Sequence, residues 1–286
     1  MYRGLSYIPH ERKMRLFTWS EDGKRITTDV GYHPYFYYET TNKRHQVATS
    51  LYGTKLKRVV CSTEKNRRER IQNLGIDRIF ENITPYQQFL IDQYWENNES
   101  NNFDQFPLKN WFFDIEVYSP NEFPTPEEAK FPINIITVYD TIDKIYYSWG
   151  LGEYKPDSEN IVYVNCKTEK DLLWNFLNFY RKDPPDILSG WNSETFDIPY
   201  IINRLNNIFG EDVCKMISPM NEELKRPVYA RQFRGSFGKE QTKYIVEGIS
   251  MLDYLDIYKT FSMGQRDSYK LDSIGAYEGV GRKVDT

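Results

Sequence analysis

The stretch that most constrains the fold is WFFDIEVY at residues 111–118, where two carboxylates interrupt a run of aromatic and branched apolar side chains. Such a run predicts a buried β-strand. Side chains two residues apart in a strand point to the same face, so Asp114 and Glu116 project together, about 7 Å apart. Burying unpaired carboxylates is costly unless a cation compensates them. The strand therefore predicts either a solvated strand end or a divalent metal site, since such ions prefer oxygen ligands.

Composition directs the chemistry toward carboxylates. The cysteines form no CxxC pair, which argues for reduced thiols and against zinc. All the histidines lie in the first 45 residues, far from the acidic strand, so no histidine cluster is expected near it. These residues are Cys61, Cys166, Cys214, His10, His33 and His45.

Length and hydropathy predict a soluble protein with one large or two ordinary domains. The chain has 286 residues, of which 40% are hydrophobic and 16% aromatic, enough for packed cores. No apolar run approaches the roughly 20 residues that a membrane span needs. We therefore expect a cytoplasmic location, the host cytoplasm if the protein is viral, and no membrane partner.

The net charge of −4 hides an asymmetry along the chain. Residues 1–105 contain 16 basic and 13 acidic residues, whereas the remainder contains 21 and 28. Two basic patches, at 55–70 and 225–243, are candidate phosphate-binding surfaces or solvated faces. The candidate nucleic-acid-binding residues are Lys55, Lys57, Arg67 and Arg68 in the first patch and Arg234, Lys239 and Lys243 in the second.

The first hundred residues predict an α+β domain with possible nucleic-acid binding. Strands are expected at 15–19 and 32–38, the second rich in aromatic residues that either stack on single strands or pack on their own core. Helices are expected at 64–74, ending at Gly75, and from a capping box at Thr84 to about residue 95. A polar, asparagine-rich stretch at 96–104 places the domain boundary between residues 105 and 106.

Residues 106–286 predict a different order of elements. Strands at 109–118, 133–139, 144–149 and 161–164 are expected to form an antiparallel meander, followed by a helix at 169–182 with Thr168 as its cap. A strand at 186–191 and an amphipathic helix at about 196–209 follow. This order is typical of a ribonuclease H-like α/β fold.

A second acidic position lies in GWNSETFDIPYI at residues 190–201. Asp197 falls at the start of the last predicted helix, just after a strand expected near the first acidic strand. A carboxylate there gains from unpaired amides and the helix dipole, so helix capping is a serious alternative to a functional role.

The pair Asp114 and Glu116, followed by Asn192, Phe196 and Asp197 at these spacings, resembles the first two motifs of the 3'-5' proofreading exonuclease of family B DNA polymerases. The sequence is similar to the T-even phage type of this family over residues 113–124, 190–200 and 248–261. Either motif alone is unspecific, whereas their combination is specific.

The resemblance implies a set of roles. Asp114, Glu116 and Asp197 would hold two divalent metal ions, Mg²⁺ or Mn²⁺, that catalyse hydrolysis of the terminal phosphodiester. Phe123, Asn192 and Phe196 would line the cleft for the frayed 3' end. Residues 231–246 resemble a β-hairpin that parts primer from template. The implied partners are a single-stranded DNA 3' end or a primer-template.

The family's third motif, a tyrosine followed four residues later by an aspartate, is missing. After Asp197, for example, Tyr269 is followed by Ser273 and Tyr277 by Gly281. We therefore expect the amino-terminal piece of a polymerase, completed by a carboxyl-terminal chain or the remainder of the same polypeptide. Because one acid is missing, the isolated chain is expected to bind metal weakly and to have little or no exonuclease activity.

Two other classes of function remain open at this point. A free-standing exonuclease would need its last acid within the chain, and Asp253, Asp256 or Asp272 are the candidates. A non-catalytic module is the other class, because T-even polymerases also repress their own translation by binding messenger RNA. The net-positive first domain would suit such an RNA-binding role.

Overall fold

The computed structural model describes residues 2–42, 44, 46–75, 79–80, 83–95, 107–234 and 240–282. The chain divides into two compact units, Met1–Pro107 and Leu108–Thr286. The predicted boundary between residues 105 and 106 lies outside the described residues. Within the described residues, no helix has both the length and the apolar character to cross a membrane.

The first unit contains two antiparallel sheets and two helices. One sheet has the order β1-β2-β3, and the other has the order β5-β6-β4-β7. A core of Tyr7, Met14, Leu16, Tyr32 and Phe89 joins the first sheet to the second helix. The elements are β1 (Tyr2–Ile8), β2 (Lys13–Trp19), β3 (Arg25–Gly31), β4 (Tyr35–Glu39), β5 (Ala48–Thr49), β6 (Lys55–Val60), α1 (Glu64–Leu74), β7 (Ile79–Phe80) and α2 (Pro85–Tyr94).

Both predicted helices of the first unit are confirmed, because local signals determine their ends. The Thr63 side chain accepts from the Asn66 amide at the start of α1, and Gly75 ends that helix in a left-handed conformation with φ 56°. Thr84 and Gln87 form the predicted capping box of α2. In β4, Tyr35 and Phe36 are buried, so this part of the aromatic strand packs on the protein's own core.

The second unit is built on a six-stranded mixed sheet with the order β11-β10-β9-β8-β12-β15. Strand β8 lies at its centre, antiparallel to β9 and parallel to β12. The mixed α/β class that the sequence predicts is confirmed. The strands are β8 (Asn110–Val117), β9 (Ile133–Asp140), β10 (Ile145–Leu151), β11 (Ile161–Cys166), β12 (Ile187–Gly190) and β15 (Ser250–Asp253).

The prediction that the first four of these strands form an antiparallel meander is wrong for the fourth. Strand β11 pairs with β10 in parallel, with Tyr146 opposite Ile161. The loop at 152–160 can span about 30 Å when extended, more than the roughly 23 Å length of a seven-residue strand, so it carries the chain back before β11 starts.

Helices cover this sheet and bury its apolar face. The predicted helix at 169–182 is confirmed as α3 (Glu169–Lys182), capped by Thr168, and the helix at about 196–209 is α4 (Asp197–Phe209). Leu172, Phe176, Ile198 and Leu205 enter the same core as the buried residues of β8. The remaining elements are α5 (Glu211–Cys214), a 3-10 turn at Lys215–Ile217, β13 (Val228–Arg234), β14 (Glu240–Val246), α6 (Tyr254–Phe261) and α7 (Leu271–Tyr277).

Candidate active site

Strand β8 separates a core face from an acidic face, as its sequence predicts. Trp111, Phe113 and Ile115 are buried in the core, whereas Asp114 and Glu116 between and beyond them are exposed. The pairing of β8 with β9 shifts register between Glu116 and the next residue, so the regular ladder breaks beside the second acid. Both carboxylates therefore lie on the accessible side of the central strand.

Asp197 lies directly against this acidic strand. It is the first residue of α4, is only 5% exposed, and its Oδ1 accepts a hydrogen bond of 3.1 Å from the Ile115 amide. Ile115 stands between the two acids of β8, so the structure brings a carboxylate 83 positions after Asp114 to the same part of the strand. The hypothesis of convergent acids has this geometric support.

Helix capping does not explain the Asp197 side chain. The N-cap position of α4 is Phe196, and no side chain makes a capping hydrogen bond there. The Asp197 carboxylate is instead directed across to β8. The Asp197 side chain therefore connects the start of α4 to the central strand and does not cap the helix.

The surroundings of Asp197 disfavour its ionised form. Burial is the largest cause and the negative charge of Asp114 the second, and together they raise the pKa of Asp197 to about 7. The hydrogen bond from the Ile115 amide lowers the pKa, and the charge of Asp253 adds a smaller repulsion. A carboxyl group that holds its proton near neutral pH beside another carboxylate is a typical feature of functional sites. A cation bound here would relieve the same repulsion.

The donor set fits a hard divalent ion, but the site is not assembled for one in this conformation. Carboxylate oxygens are the ligands that Mg²⁺ and Mn²⁺ prefer. Among the described residues, however, no three His, Cys, Asp or Glu side chains lie together closely enough to hold a metal ion. Asp114 and Asp197 are electrostatically coupled, whereas Glu116 lies farther along the exposed edge of the strand.

Two aromatic side chains flank the acids. Phe123 is 81% exposed and its ring centroid is 6.0 Å from that of Phe196, which in turn contacts Tyr200. Arg204 of α4 fastens the loop that carries Phe123 by donating to the carbonyl oxygens of residues 129 and 130 at 3.0 and 2.8 Å. The exposed ring of Phe123, which lies against the residue before Asp197, offers a surface on which a base can stack.

The loop before Asp197 is held by an aspartate whose role the sequence did not reveal. Asn192 has an exposed side chain and a left-handed backbone with φ 64°. Its amide donates to the Asp253 carboxylate at 3.0 Å, and the Glu194 amide donates to the same carboxylate at 3.1 Å. Asp253 also accepts from the Leu255 amide as the N-cap of α6.

These contacts bear on the three acids considered for the final metal ligand. Asp253 uses its carboxylate on backbone amides, and Asp256 on α6 pairs with the Lys243 ammonium at 3.1 Å. Asp272 lies at the start of α7. The position of Asp253 just before a helix was the sequence signal for its capping role.

The first basic patch contains fewer accessible charges than its sequence suggests. Arg67 is 8% exposed and makes a bidentate ion pair with Glu64, so its guanidinium is committed within α1. Lys55 and Lys57 are half-buried on β6, where the Lys57 ammonium lies 5.8 Å from the Tyr38 ring centroid. Arg68 remains exposed on the helix surface.

The second basic patch lies on a hairpin. Strands β13 and β14 pair antiparallel from Val228 with Val246 to Arg234 with Glu240. The tip at 235–239, which includes Lys239, lies outside the described residues, as does the side chain of Arg234. The Lys243 ammonium is already paired with Glu194 at 2.8 Å and with Asp256.

Comparisons with known proteins identify the family of the chain. The family model described as DNA polymerase family B, exonuclease domain, matches residues 76–274. The DNA-directed DNA polymerases of Escherichia phage RB69 and Enterobacteria phage T4 are 31% and 27% identical over 286 residues, covering 90% of this chain and 30% of each relative. The DNA polymerase delta catalytic subunit of Candida albicans is 27% identical over 188 residues, covering 60% of this chain and 17% of the relative.

The second unit is a mixed α/β domain with two acids on its central strand, and the family model describes the matched region as an exonuclease domain. The chain belongs to the exonuclease-domain family of family B DNA polymerases. It spans about 30% of the length of the two phage polymerases that it matches.

Proposed function

We propose that this chain carries the 3'-5' proofreading exonuclease scaffold of a family B DNA polymerase and acts on a DNA 3' end in the host cytoplasm. The observation that supports it most strongly is the hydrogen bond that holds Asp197 against β8 between Asp114 and Glu116. The two acids of this strand and the acid at the helix start would together form the site when a metal ion is bound.

We further propose that the second unit has a ribonuclease H-like fold. Strands β8, β9 and β10 are antiparallel neighbours, and the parallel strands β12 and β15 add to the other side of β8. This order places the acidic central strand beside the loop that follows β12, from which Asp197 comes. Support for this class comes from the strand order, the position of the acids and the family.

Asp114, Glu116 and Asp197 would hold the divalent ions. When bound, such ions activate water and stabilise the departing 3' oxygen. The chain's own side chains orient the substrate: Phe123 and Phe196 offer rings for the terminal base, and the exposed Asn192 side chain lies at the start of the same loop. The buried Asp197 carboxyl holds a proton that metal binding must displace.

We expect the 286-residue chain alone to hydrolyse DNA slowly. Among the described residues the acids do not form a preassembled group of three, so metal binding must first reorganise them. A polymerase polypeptide that completes the site is the proposed partner. Supplying that partner should raise activity without changing the dependence on Asp114.

The test uses a 5'-labelled single strand incubated with the chain and Mn²⁺ or Mg²⁺. We expect slow, metal-dependent shortening from the 3' end, which Asp114→Ala and Asp197→Ala abolish. Asp157→Ala is the matched control, because Asp157 is an exposed acid in the loop after β10. Shortening that persists in both site variants, or that a chelator does not stop, would reject the proposed site.

An RNA-binding role is a second candidate function, supported by exposed arginine side chains on β6 and α1. The Arg58 guanidinium lies 3.7 Å from the Tyr35 ring centroid, and Arg68 and Arg70 are exposed on α1. A salt-dependent gel shift should compare RNA hairpins with single-stranded DNA, before and after Arg68→Ala and Arg70→Ala. Arg67→Ala is unsuitable, because it leaves Glu64 without its buried partner.

A further inference from the structure

The loop at residues 191–196 determines where the candidate site residues lie. It carries Asn192 and Phe196 and leads directly into Asp197. The backbone at Asn192 is left-handed, with φ 64°, a conformation that asparagine adopts more readily than most residues with a Cβ atom. Hydrogen bonds to the backbone amides of the loop hold it in place.

Asp253 is the side chain that fastens this loop to the sheet. Its Oδ1 accepts from the Asn192 amide at 3.0 Å and its Oδ2 from the Glu194 amide at 3.1 Å, while its own amide donates to Glu194 Oε1 at 3.2 Å. Helix capping accounts only for the further bond from Leu255. The reciprocal bonds with Glu194 tie the end of β15 to the loop.

Lys243 connects the same loop to the β13–β14 hairpin. Its ammonium contacts Glu194 Oε2 at 2.8 Å and Asp256 Oδ2 at 3.1 Å. Burial opposes the positive charge, but the hydrogen bonds that Lys243 donates to Glu194 and Asp256 outweigh it and raise the pKa of Lys243. The neighbouring Tyr244 donates to Asn203 Oδ1 on α4 at 2.7 Å. Strand β14 thus contacts both the loop at 191–196 and helix α4, which begins with Asp197.

We propose that Asp253 is a positioning residue for the exonuclease site and that the Lys243–Glu194 ion pair couples the β13–β14 hairpin to it. The inference rests on the proposed function and specifies how that site is regulated. A shift of β14 would move Glu194 through this ion pair and, through the loop, change the positions of Phe196 and Asp197. The position of the hairpin and the geometry of the site are then coupled.

The first experiment measures amide hydrogen exchange of the loop and Mn²⁺ binding in Asp253→Asn. We expect loop exchange to rise and Mn²⁺ affinity and kcat to fall about tenfold each, with KM for DNA within about twofold. Asp140→Asn is the control, because Asp140 is also buried and accepts from two backbone amides, those of Ile142 and Asp143, as well as from Trp111 Nε1 at 2.7 Å and Lys109 Nζ at 3.0 Å. Equal effects in the two variants would overturn the positioning role.

The second experiment tests the coupling with the Asp253 side chain left in place. Lys243→Met and Glu194→Gln should each increase loop exchange and lower kcat severalfold, the double variant should match the stronger single one, and Lys243→Arg should restore most of the loss. Lys215→Met is the matched control, since Lys215 also pairs with two acids, Glu211 at 2.9 Å and Asp212 at 3.4 Å. Loop exchange that is unchanged in Lys243→Met would overturn the coupling. These readouts also decide the proposal if Asp253→Asn does not fold.

The two proposals fail in different ways. Amide exchange is read without DNA, so loss of loop protection in the variants, together with no metal-dependent hydrolysis by the wild type even after the completing polymerase polypeptide is supplied, would refute the exonuclease assignment. Hydrolysis by the wild type, together with equal loop exchange in Asp253→Asn and Asp140→Asn, would refute only the positioning role.

Discussion

Asp197→Asn should stabilise the metal-free chain at alkaline pH. The native carboxyl has a pKa of about 7, whereas an unfolded aspartate titrates near 3.8. Between these values the native state binds more protons than the unfolded state, so the free energy of unfolding falls as pH rises. A pKa shift of about three units corresponds to a contribution of about 4 kcal/mol to the free energy of unfolding. The chain loses this contribution progressively between about pH 4 and about pH 7 and lacks it at higher pH.

Asparagine is neutral throughout this range and keeps an oxygen to accept from the Ile115 amide. The variant should therefore match the wild type near pH 4 and exceed its stability by up to about 4 kcal/mol at pH 8. The assay is urea unfolding from pH 4 to 8.5 in chelator, followed by the fluorescence of the buried Trp111 and Trp149. Asp157→Asn, at an exposed loop position, controls for the loss of one negative charge.

The reasoning would be refuted by parallel pH profiles for the wild type and Asp197→Asn. A variant less stable than the wild type at pH 8 would be equally contrary, because it would mean that the ionised carboxylate is favoured in the native state. Mn²⁺ should stabilise the wild type at pH 8 and leave the stability of Asp197→Asn nearly unchanged, because a ligand that binds only the native state raises its stability.

Three further predictions concern neighbouring contacts. Asp114→Asn removes a repulsion and should lower the pKa of Asp197, which NMR titration of that carboxyl would show as an earlier midpoint; no movement would contradict their coupling. Gly190→Ala should destabilise the chain by about 1 to 3 kcal/mol in urea unfolding, because its Cβ would lie 2.6 Å from a β8 carbonyl oxygen; an unchanged midpoint would contradict the close packing. Arg204→Met leaves Glu169 without its bidentate partner at 2.7 and 2.8 Å and should cost about 3 kcal/mol in the same assay, with faster proteolysis of the loop at 119–132.

Elements with local signals could be predicted from the sequence. The bounds of α3 follow from Thr168 and the apolar spacing, and α2 follows from its capping box. The alternation in β8 predicted which of its side chains face the core, because a strand has a period of two. The helix start at Asp197 was predicted to within one residue.

What the sequence could not provide depends on non-local partners. The direction of β11 is set by the path of its preceding loop, and β1 and β3 owe their pairing to β2 rather than to a strong pattern of their own. The sequence predicted an accessible charge at Arg67, whereas the structure pairs this side chain with Glu64. The hydrogen bond from the Ile115 amide to Asp197 joins positions that no local pattern connects.

The same strand, β8, both forms part of the core and carries the two acids. Its alternate side chains build the core on one side and carry both acids on the other. Inserting or deleting one residue near its middle would turn part of its aromatic set outward and drive a carboxylate into the interior. Because such a change would prevent folding, the packing of the core keeps both acids on the outward side of the strand.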